Sequence, residues 1–192
     1  MTKLRIFAAL LTVCAAVSAQ DFKLGSKVDD FGVQDLNGNP ATFAKLKGEL
    51  TVVAFISVQC PVSNAYNERM NALYREFSPK GVRFIFLNAN HTEPADAVAS
   101  HAREHGFDFA VYKDAGNAVA DRFGAMATPE TYLIDRTGVV LYHGSVDDSQ
   151  NPSGVHNQWL KQALDAALEG RPVERAETRA FGCSIKRVKK AS

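Results

Sequence analysis

Cys60 is the residue of this sequence with the strongest case for chemistry. It stands in the stretch Ser57-Val58-Gln59-Cys60-Pro61-Val62-Ser63, where an apolar run stops and a helical pattern begins. A thiol at a helix start faces unpaired backbone N–H groups and the positive end of the helix dipole, which favour the nucleophilic thiolate. Ser63 can direct its hydroxyl at the same sulfur and stabilise the charge. The alternative is an inert cysteine that fills space at the end of a strand.

The first residues form a pattern typical of a secretory signal peptide. A short basic start precedes an apolar run over residues 6–16 and small residues at 17–19. That run is shorter than the roughly 20 residues of a membrane-spanning helix, and no later segment approaches this length. We therefore predict a signal peptide over residues 1–19 and an exported protein, periplasmic or extracellular, without stable membrane insertion.

The number of available thiols depends on that cleavage. Removal of Cys14 leaves Cys60 and Cys183, in a compartment that permits disulfides. A lipoprotein that keeps Cys14 is the alternative, which Val13 disfavours because it is a poor residue before a lipidated cysteine. Whether Cys60 and Cys183 can bridge depends on geometry, since the two Cα atoms must come within about 7 Å.

The bulk charge indicates no polyanionic partner. Loss of the two basic residues in the signal peptide lowers the formal net charge from +1 to −1, so nucleic acid is not an expected partner. The basic run from Arg175 onward is interpreted as a solvated tail. We predict one domain over residues 20–172, followed by a basic tail over residues 173–192 that carries Cys183.

Hydrophobic periodicity predicts the elements that position Cys60. The run over residues 51–57 is typical of a central strand buried on both faces, and the helix after it starts at Pro61. Further elements are predicted as follows: a hairpin at 31–34 and 41–43, a strand at 82–87, a helix at 94–105, a strand at 109–112, a helical turn at 117–123, a hairpin at 130–134 and 139–143, and a helix at 155–169. This order indicates an α/β fold with a mixed central sheet and helices on both faces.

A second motif, Ala127-Thr128-Pro129-Glu130, stands immediately before the late hairpin. A strand, a Cys-Pro-x-x helix and a later Thr-Pro entering a hairpin resemble the thioredoxin-like superfamily. The N-terminal hairpin and the extra helix and strand at 94–112 resemble its redoxin branch, which includes alkyl hydroperoxide reductases. The resemblance implies a thioredoxin-like fold and a cis Thr128–Pro129 bond beside the active cysteine. It also implies a substrate groove formed by Gln59, Pro61, Thr128 and Pro129.

The departures from the superfamily motifs bear on the mechanism. Thioredoxins have Cys-x-x-Cys, whereas Ser63 stands at the second cysteine position here. Peroxiredoxins have Pro-x-x-x-Thr-x-x-Cys; Ser57 can stand for the threonine, but Val53 occupies the proline position. Copper-delivery proteins of this fold have Cys-x-x-x-Cys, and Asn64 replaces their second cysteine. The motifs therefore leave disulfide exchange and peroxide reduction both open.

Cys183 is the remaining thiol of the predicted mature chain. Phe181, Cys183 and Ile185 alternate like a short strand or a docked segment. The chain also resembles bacterial redoxin-domain proteins that end in a similar Gly-Cys-x-Ile-Lys stretch, which implies that Cys183 returns to Cys60 as a resolving or structural partner. A static bridge closing so long a loop would stabilise the fold by about 4 to 5 kcal/mol on the chain-entropy model. Redox exchange, a static bridge and two free thiols are the three alternatives.

The remaining candidates are weaker. His101 and His105 stand four apart on a predicted helix, but no carboxylate or thiol at ligand spacing completes a metal site, so a solvated face is favoured. His91 follows a core strand and can line the thiol pocket. Asp147 and Asp148 are interpreted as a polar loop. We expect no bound metal and no cofactor.

Two functions are therefore predicted as alternatives. In the first, an exported thiol oxidoreductase uses Cys60 to attack a protein disulfide or a small peroxide, Cys183 resolves the product, and a thiol reductant restores the enzyme. In the second, the same fold is a non-catalytic binding or metal-handling module with a structural Cys60–Cys183 disulfide.

Overall fold

A computed structural model describes residues 22–189, so the predicted signal peptide lies outside the described residues. Seven strands form a mixed sheet in the spatial order β2-β1-β5-β4-β3-β7-β8, and β6 pairs with β9. The strands are β1 (Gly32–Asp35), β2 (Pro40–Thr42), β3 (Leu50–Ile56), β4 (Val82–Asn88), β5 (Val111–Lys113), β6 (Ala127–Thr128), β7 (Glu130–Asp135), β8 (Val140–Gly144) and β9 (Cys183–Ser184). The helices are α1 (Phe43–Leu46), α2 (Pro61–Asn64), α3 (Asn67–Phe77), α4 (Ala95–Glu104), α5 (Ala118–Phe123) and α6 (Trp159–Leu168).

The central strand β3 is buried along its whole length, as its apolar sequence predicts. It runs parallel to β4 and antiparallel to β7. Because side chains alternate along a strand, Val53 packs in one core layer with Phe123 of α5. Val52 packs in the opposite layer with Met70 of α3 and Leu164 of α6. The predicted mixed sheet with helices on both faces is confirmed, and so is the thioredoxin-like fold.

The N-terminal hairpin and the extra strand of the redoxin branch, predicted with its helix at 94–112, form one edge of the sheet. The hairpin turn is fixed by the Asp35 carboxylate, which accepts hydrogen bonds from the N–H groups of Asn37 (2.9 Å) and Asn39 (2.8 Å). Gly38 takes the positive φ of 86° that this turn requires. After α4, the inserted strand β5 runs parallel to β4 and pairs antiparallel with β1. The inserted strand therefore joins the hairpin to the core.

The last helix starts later than predicted. The periodicity extends from Val155, but α6 begins at Trp159. The Asp148 carboxylate accepts hydrogen bonds from the His156 N–H (3.0 Å) and the Asn157 amide (2.7 Å), which offers the preceding backbone an alternative to a helical turn. The prediction over residues 155–158 was wrong because a polar side chain eight residues away outweighs the local apolar pattern.

The C-terminal segment is not a free tail. We call residues 176–188 the C-terminal strap. Its first half follows β8, where the His143 N–H donates to the Ala176 carbonyl (2.9 Å) and the Thr178 N–H donates to the His143 carbonyl (2.9 Å). Its second half contains β9 and buries Ile185 in the core. The docked segment predicted from the alternation of Phe181, Cys183 and Ile185 is confirmed. The interpretation of this run as a solvated tail is wrong for the backbone, which is hydrogen-bonded to the domain. Charged side chains such as Arg179 remain exposed.

Within residues 22–189, no helix has the length and apolar character that crossing a bilayer requires.

Candidate active site

The two cysteines of the described chain form a disulfide. The Cα atoms of Cys60 and Cys183 are 5.8 Å apart, although 123 positions separate them in the sequence. Antiparallel pairing of β6 with β9 places Cys183 opposite Thr128. The pairing that the sequence left open is therefore present, and two free thiols are excluded for this state of the protein.

Cys60 caps the short helix α2. Pro61 occupies the first helical position, and the Ser63 backbone N–H donates a hydrogen bond to Cys60 Sγ at 3.3 Å. The expected Ser63 hydroxyl contact is wrong, because Ser63 Oγ instead accepts a hydrogen bond from the Ser57 N–H at 3.0 Å. Ser63 therefore offers the sulfur its backbone, while its buried side chain closes the preceding loop. On the far side, the Thr128 carbonyl oxygen lies 3.4 Å from Sγ.

The helix that follows is divided. Periodicity from Pro61 predicts one continuous helix, but the structure separates α2 from α3 at Ala65 and Tyr66. Tyr66 is fully buried, and its hydroxyl donates to Asp147 Oδ1 at 2.7 Å. The break thus lets Tyr66 anchor the Cys60 helix to the loop after β8.

The four residues predicted to form a substrate groove lie beside Cys60, and two of them are buried. The Thr128–Pro129 bond is cis, as the resemblance implied. Gln59 and Pro61 are exposed on either side of Cys60, whereas Thr128 and Pro129 are buried. The strap occupies the β6 edge in this disulfide state, so a peptide cannot pair there without displacing it.

Sequence reasoning missed a buried carboxylate beneath the Cys60 loop. Glu93 is 1% exposed. Its Oε1 accepts hydrogen bonds from the Ser57 hydroxyl (2.6 Å) and the Gln59 N–H (3.1 Å). Its Oε2 accepts one from the Val58 N–H (3.1 Å). One side chain therefore holds the three residues that precede Cys60.

The hydrogen bonds keep Glu93 ionised. Burial raises the pKa of its carboxyl group, but hydrogen bonds from Ser57, Asn88 and Asn90 lower it, and the resulting pKa lies below the ordinary value. The Lys113 ammonium donates to the Glu93 carbonyl at 2.6 Å and to the Asn90 carbonyl at 3.1 Å. Burial lowers the pKa of Lys113, and the Glu93 charge opposes this change. In the sequence, a single glutamate in a polar loop is indistinguishable from an exposed surface residue. Its position in the loop after β4 is the one feature that could have indicated a role near Cys60.

His91 does not line the thiol pocket. It is exposed, its backbone N–H donates to the Lys186 carbonyl at 2.9 Å, and its Nδ1 lies 2.9 Å from the same oxygen. His91 therefore contacts the strap rather than Cys60.

The other polar candidates are occupied by protein groups. The rings of His101 and His105 are 4.1 Å apart, and His101 Nε2 lies 3.2 Å from the Asn67 amide. Asp147 is buried and forms an ion pair with Arg69 at 2.5 Å, so a guanidinium occupies the place that a bound cation would take. The interpretation of this residue as part of a polar loop understated its burial. No group of three or more potential metal ligands occurs among the residues that the structure describes.

Known proteins resemble both the sequence and the fold. The model of the AhpC/TSA family matches residues 24–143, a range that includes Cys60 and ends before Cys183. The thiol-disulfide oxidoreductase ResA of Bacillus thuringiensis (strain Al Hakam) is 30% identical over 122 residues, which cover 64% of this chain and 69% of ResA.

Two solved structures match most of the chain. An uncharacterized conserved protein from Geobacillus kaustophilus has a TM-score of 0.82 and 32% identity, covering 88% of this chain and 95% of its own. Hypothetical protein SMc02350 from Sinorhizobium meliloti 1021 has a TM-score of 0.81 and 30% identity, covering 89% and 98% respectively. Together with the family match, the fold and the Cys60–Cys183 disulfide, these likenesses show that the chain is a thioredoxin-fold member of the AhpC/TSA family, related to thiol-disulfide oxidoreductases.

Proposed function

We propose that this protein is an exported thiol-disulfide oxidoreductase in which Cys60 is the nucleophile and Cys183 the resolving cysteine. The observation that carries the proposal is the disulfide itself, which joins the helix-start cysteine to a cysteine on the strap. The Ser63 N–H at 3.3 Å from Cys60 Sγ supports a thiolate there, because a backbone donor stabilises negative charge on sulfur.

The reaction transfers two electrons from the protein to a substrate disulfide. The Cys60 thiolate attacks one substrate sulfur, a mixed disulfide forms, and the other substrate sulfur leaves as a thiolate that takes up a proton. The Cys183 thiolate then attacks Cys60 Sγ, which forms the Cys60–Cys183 bond and releases the second substrate sulfur. The products are a substrate dithiol and the oxidised protein.

Regeneration starts at the more accessible sulfur. Cys60 is 2% exposed, whereas Cys183 is partly exposed. A thiolate of the reductant attacks Cys183, Cys60 leaves as the thiolate that Ser63 faces, and a second reductant thiol releases Cys183 while the reductant is oxidised to its disulfide. Attack by Cys60 on a bulky substrate requires a shift of residues 179–184, the span between the anchors at Thr178 and Ile185.

Contacts of the loop favour disulfide exchange over peroxide reduction. Ser57, at the position of the peroxiredoxin threonine, donates its hydroxyl proton to Glu93 and accepts the Cys60 N–H at 3.1 Å. Its hydroxyl is therefore committed to the loop rather than to a ligand at the sulfur. Val53, at the peroxiredoxin proline position, is part of the core. The ResA relatives are likewise named as thiol-disulfide oxidoreductases.

A trapping experiment tests the proposal. Cys183→Ser, which lacks the resolving thiol, should accumulate mixed disulfides at Cys60 when the reduced protein meets a protein disulfide such as insulin. The matched control, Cys60→Ser, should form none and should lose disulfide reductase activity. A wild-type bridge that resists millimolar dithiothreitol in the folded protein, or full activity in Cys60→Ser, would establish a structural disulfide instead. Retained peroxide consumption with no disulfide reduction would assign the peroxide reaction.

Export is tested separately. The signal-peptide pattern predicts cleavage after Ala19. The intact mass of the protein recovered from the periplasm or the medium should correspond to a chain that begins at Gln20. A cytoplasmic chain that keeps its first 19 residues would contradict export and leave the thiol chemistry untouched.

A further inference from the structure

One buried side chain contacts both cysteine-bearing segments. Asn90 is 5% exposed and lies in the loop after β4. Its Nδ2 donates hydrogen bonds to Ser57 Oγ (2.9 Å) and to Glu93 Oε1 (2.9 Å). Its Oδ1 accepts a hydrogen bond from the Lys186 backbone N–H (2.7 Å). The two donated bonds go to groups that hold the Cys60 loop, and the accepted bond comes from the segment that carries Cys183.

On the Cys60 side, the contact passes through the Ser57 hydroxyl. Its oxygen accepts the Cys60 N–H at 3.1 Å and the Asn90 amide, and its proton goes to Glu93. The hydroxyl is thus fully used by three partners. The Asn90 side chain is therefore one hydrogen-bonded group removed from the backbone of Cys60.

On the Cys183 side, the contact is to backbone three residues after the cysteine. The Lys186 N–H donates to Asn90, and the Lys186 carbonyl accepts the His91 N–H at 2.9 Å. One residue earlier, the Ile185 N–H donates to the Met126 carbonyl at 3.0 Å. The backbone of the strap just after Cys183 is thus held by hydrogen bonds in addition to the disulfide.

We propose that Asn90, supported by Glu93, is a positioning residue that keeps the Cys60 and Cys183 segments together when the disulfide is reduced. The proposal deepens the proposed function, on which it rests. Two thiols held near their bonded geometry lose little freedom when they join, so the effective concentration of one thiol at the other is high. The hydrogen bonds of Asn90 therefore favour formation of the Cys60–Cys183 disulfide and release of a substrate from Cys60.

A purely structural role makes a different prediction. If Asn90 only satisfied buried polar groups, its removal would destabilise the oxidised and the reduced protein equally. The equilibrium between them would then not move. A positioning role couples the hydrogen bonds to the disulfide, so their removal must shift that equilibrium.

The experiment measures the equilibrium constant between the oxidised protein and reduced glutathione. Two glutathione molecules reduce the bridge and become one glutathione disulfide. Samples are quenched with acid and alkylated, and the fractions of oxidised and reduced protein are quantified by mass spectrometry. Asn90→Ala should make the bridge about tenfold easier to reduce, a change that corresponds to about 1.4 kcal/mol and lies in the range for loss of a buried hydrogen bond. The full mature chain is used throughout.

Asn117→Ala is the matched control. Asn117 is also buried, its Oδ1 accepts the Val188 N–H of the same strap at 2.8 Å, and its Nδ2 donates to the Ala89 carbonyl. Within residues 22–189 its side chain makes no hydrogen bond to residues 57–60. This variant should lose stability in urea denaturation while its glutathione equilibrium stays within about twofold of wild type. If Asn90→Ala does not fold, Asn90→Ser, whose shorter side chain cannot reach both Ser57 and Lys186, should show a shift in the same direction, and no shift there would overturn the positioning role.

The outcomes separate the two proposals. Equal shifts in Asn90→Ala and Asn117→Ala, or no shift in Asn90→Ala, would overturn the positioning role even if Cys60 traps substrates as expected. A bridge that does not exchange in the folded protein would remove the proposed function and the positioning role together.

Discussion

The two halves of the candidate site are built in different ways. Cys60 follows β3, a strand whose seven residues are all buried, and it caps α2. Cys183 lies in β9, which is only two residues long, on a strap whose backbone depends on separate partners across the domain. One thiol is therefore positioned by regular elements near it in sequence, and the other by contacts that are distant in sequence.

The difference extends to expected stability. The Cys60 half is part of the central sheet, so its opening requires loss of the core. The strap is held by β9, by burial of Ile185 and by separate backbone hydrogen bonds, so we expect it to open at a lower free-energy cost than the central sheet. Loss of the bridge, a substitution in the strap and the pH dependence of the Cys60 loop each test this asymmetry.

Loss of the Cys60–Cys183 disulfide should have the largest effect on the free energy of unfolding. The bridge closes a loop of 123 residues, so Cys183→Ser should lower the free energy of unfolding by about 4 to 5 kcal/mol on the chain-entropy model. Urea denaturation of the oxidised wild type and the variant measures the difference. Dithiothreitol should bring wild type close to the variant. A difference below about 1 kcal/mol would contradict this estimate, which assumes that the native strap keeps its place when the bridge is absent.

The second effect concerns the close approach of the strap to β6. Gly182 has a φ of 151°, and a Cβ there would overlap the Thr128 carbonyl oxygen, which is backbone and cannot turn aside. Gly182→Ala should therefore displace Cys183, cost about 3 kcal/mol and leave free thiols after oxidation. Thiol titration and urea denaturation report both changes.

Gly170→Ala is the control for this substitution. Gly170 also has a positive φ, of 69°, but its added Cβ would meet nothing within 4 Å. Its cost should be about 1 kcal/mol, from backbone strain alone, with the bridge intact. Equal costs and intact bridges in both variants would show that the strap tolerates displacement and that β6 does not set the position of Cys183.

The smallest effect is a pH dependence on the Cys60 side. Burial raises the pKa of Glu93, but its hydrogen bonds outweigh burial and hold the folded-state pKa below the ordinary value of 4.5. The carboxylate therefore stabilises the fold fully above about pH 4.5, and this stabilisation is lost as the pH falls through the folded-state pKa.

Glu93→Gln removes that titration. Plots of unfolding free energy against pH should be flatter for this variant than for wild type below about pH 5. Glu68→Gln, at an exposed position on α3, should follow wild type. A wild-type slope retained in Glu93→Gln would mean that Glu93 does not hold the Cys60 loop as an anion.

Periodicity predicted most of the regular elements, because an apolar pattern records which face of a strand or helix is buried. It failed where single polar side chains redirect the backbone. Asp148 delays the start of α6, and the Tyr66–Asp147 hydrogen bond accompanies the break between α2 and α3. Neither feature leaves a periodic signal, since each depends on a partner distant in sequence.

Most of the order of strands and helices, and the place of Cys60 at a helix start, could be predicted from the sequence because both follow from neighbouring residues. The resemblance to redoxins added the cis Thr128–Pro129 bond. Three features required the folded structure: Cys183 meets Cys60, Glu93 is buried beneath the loop, and the Ser63 backbone rather than its hydroxyl faces the sulfur. The physical reason is that an irregular strap and a buried polar group acquire their positions from hydrogen-bond partners that only the folded chain brings together.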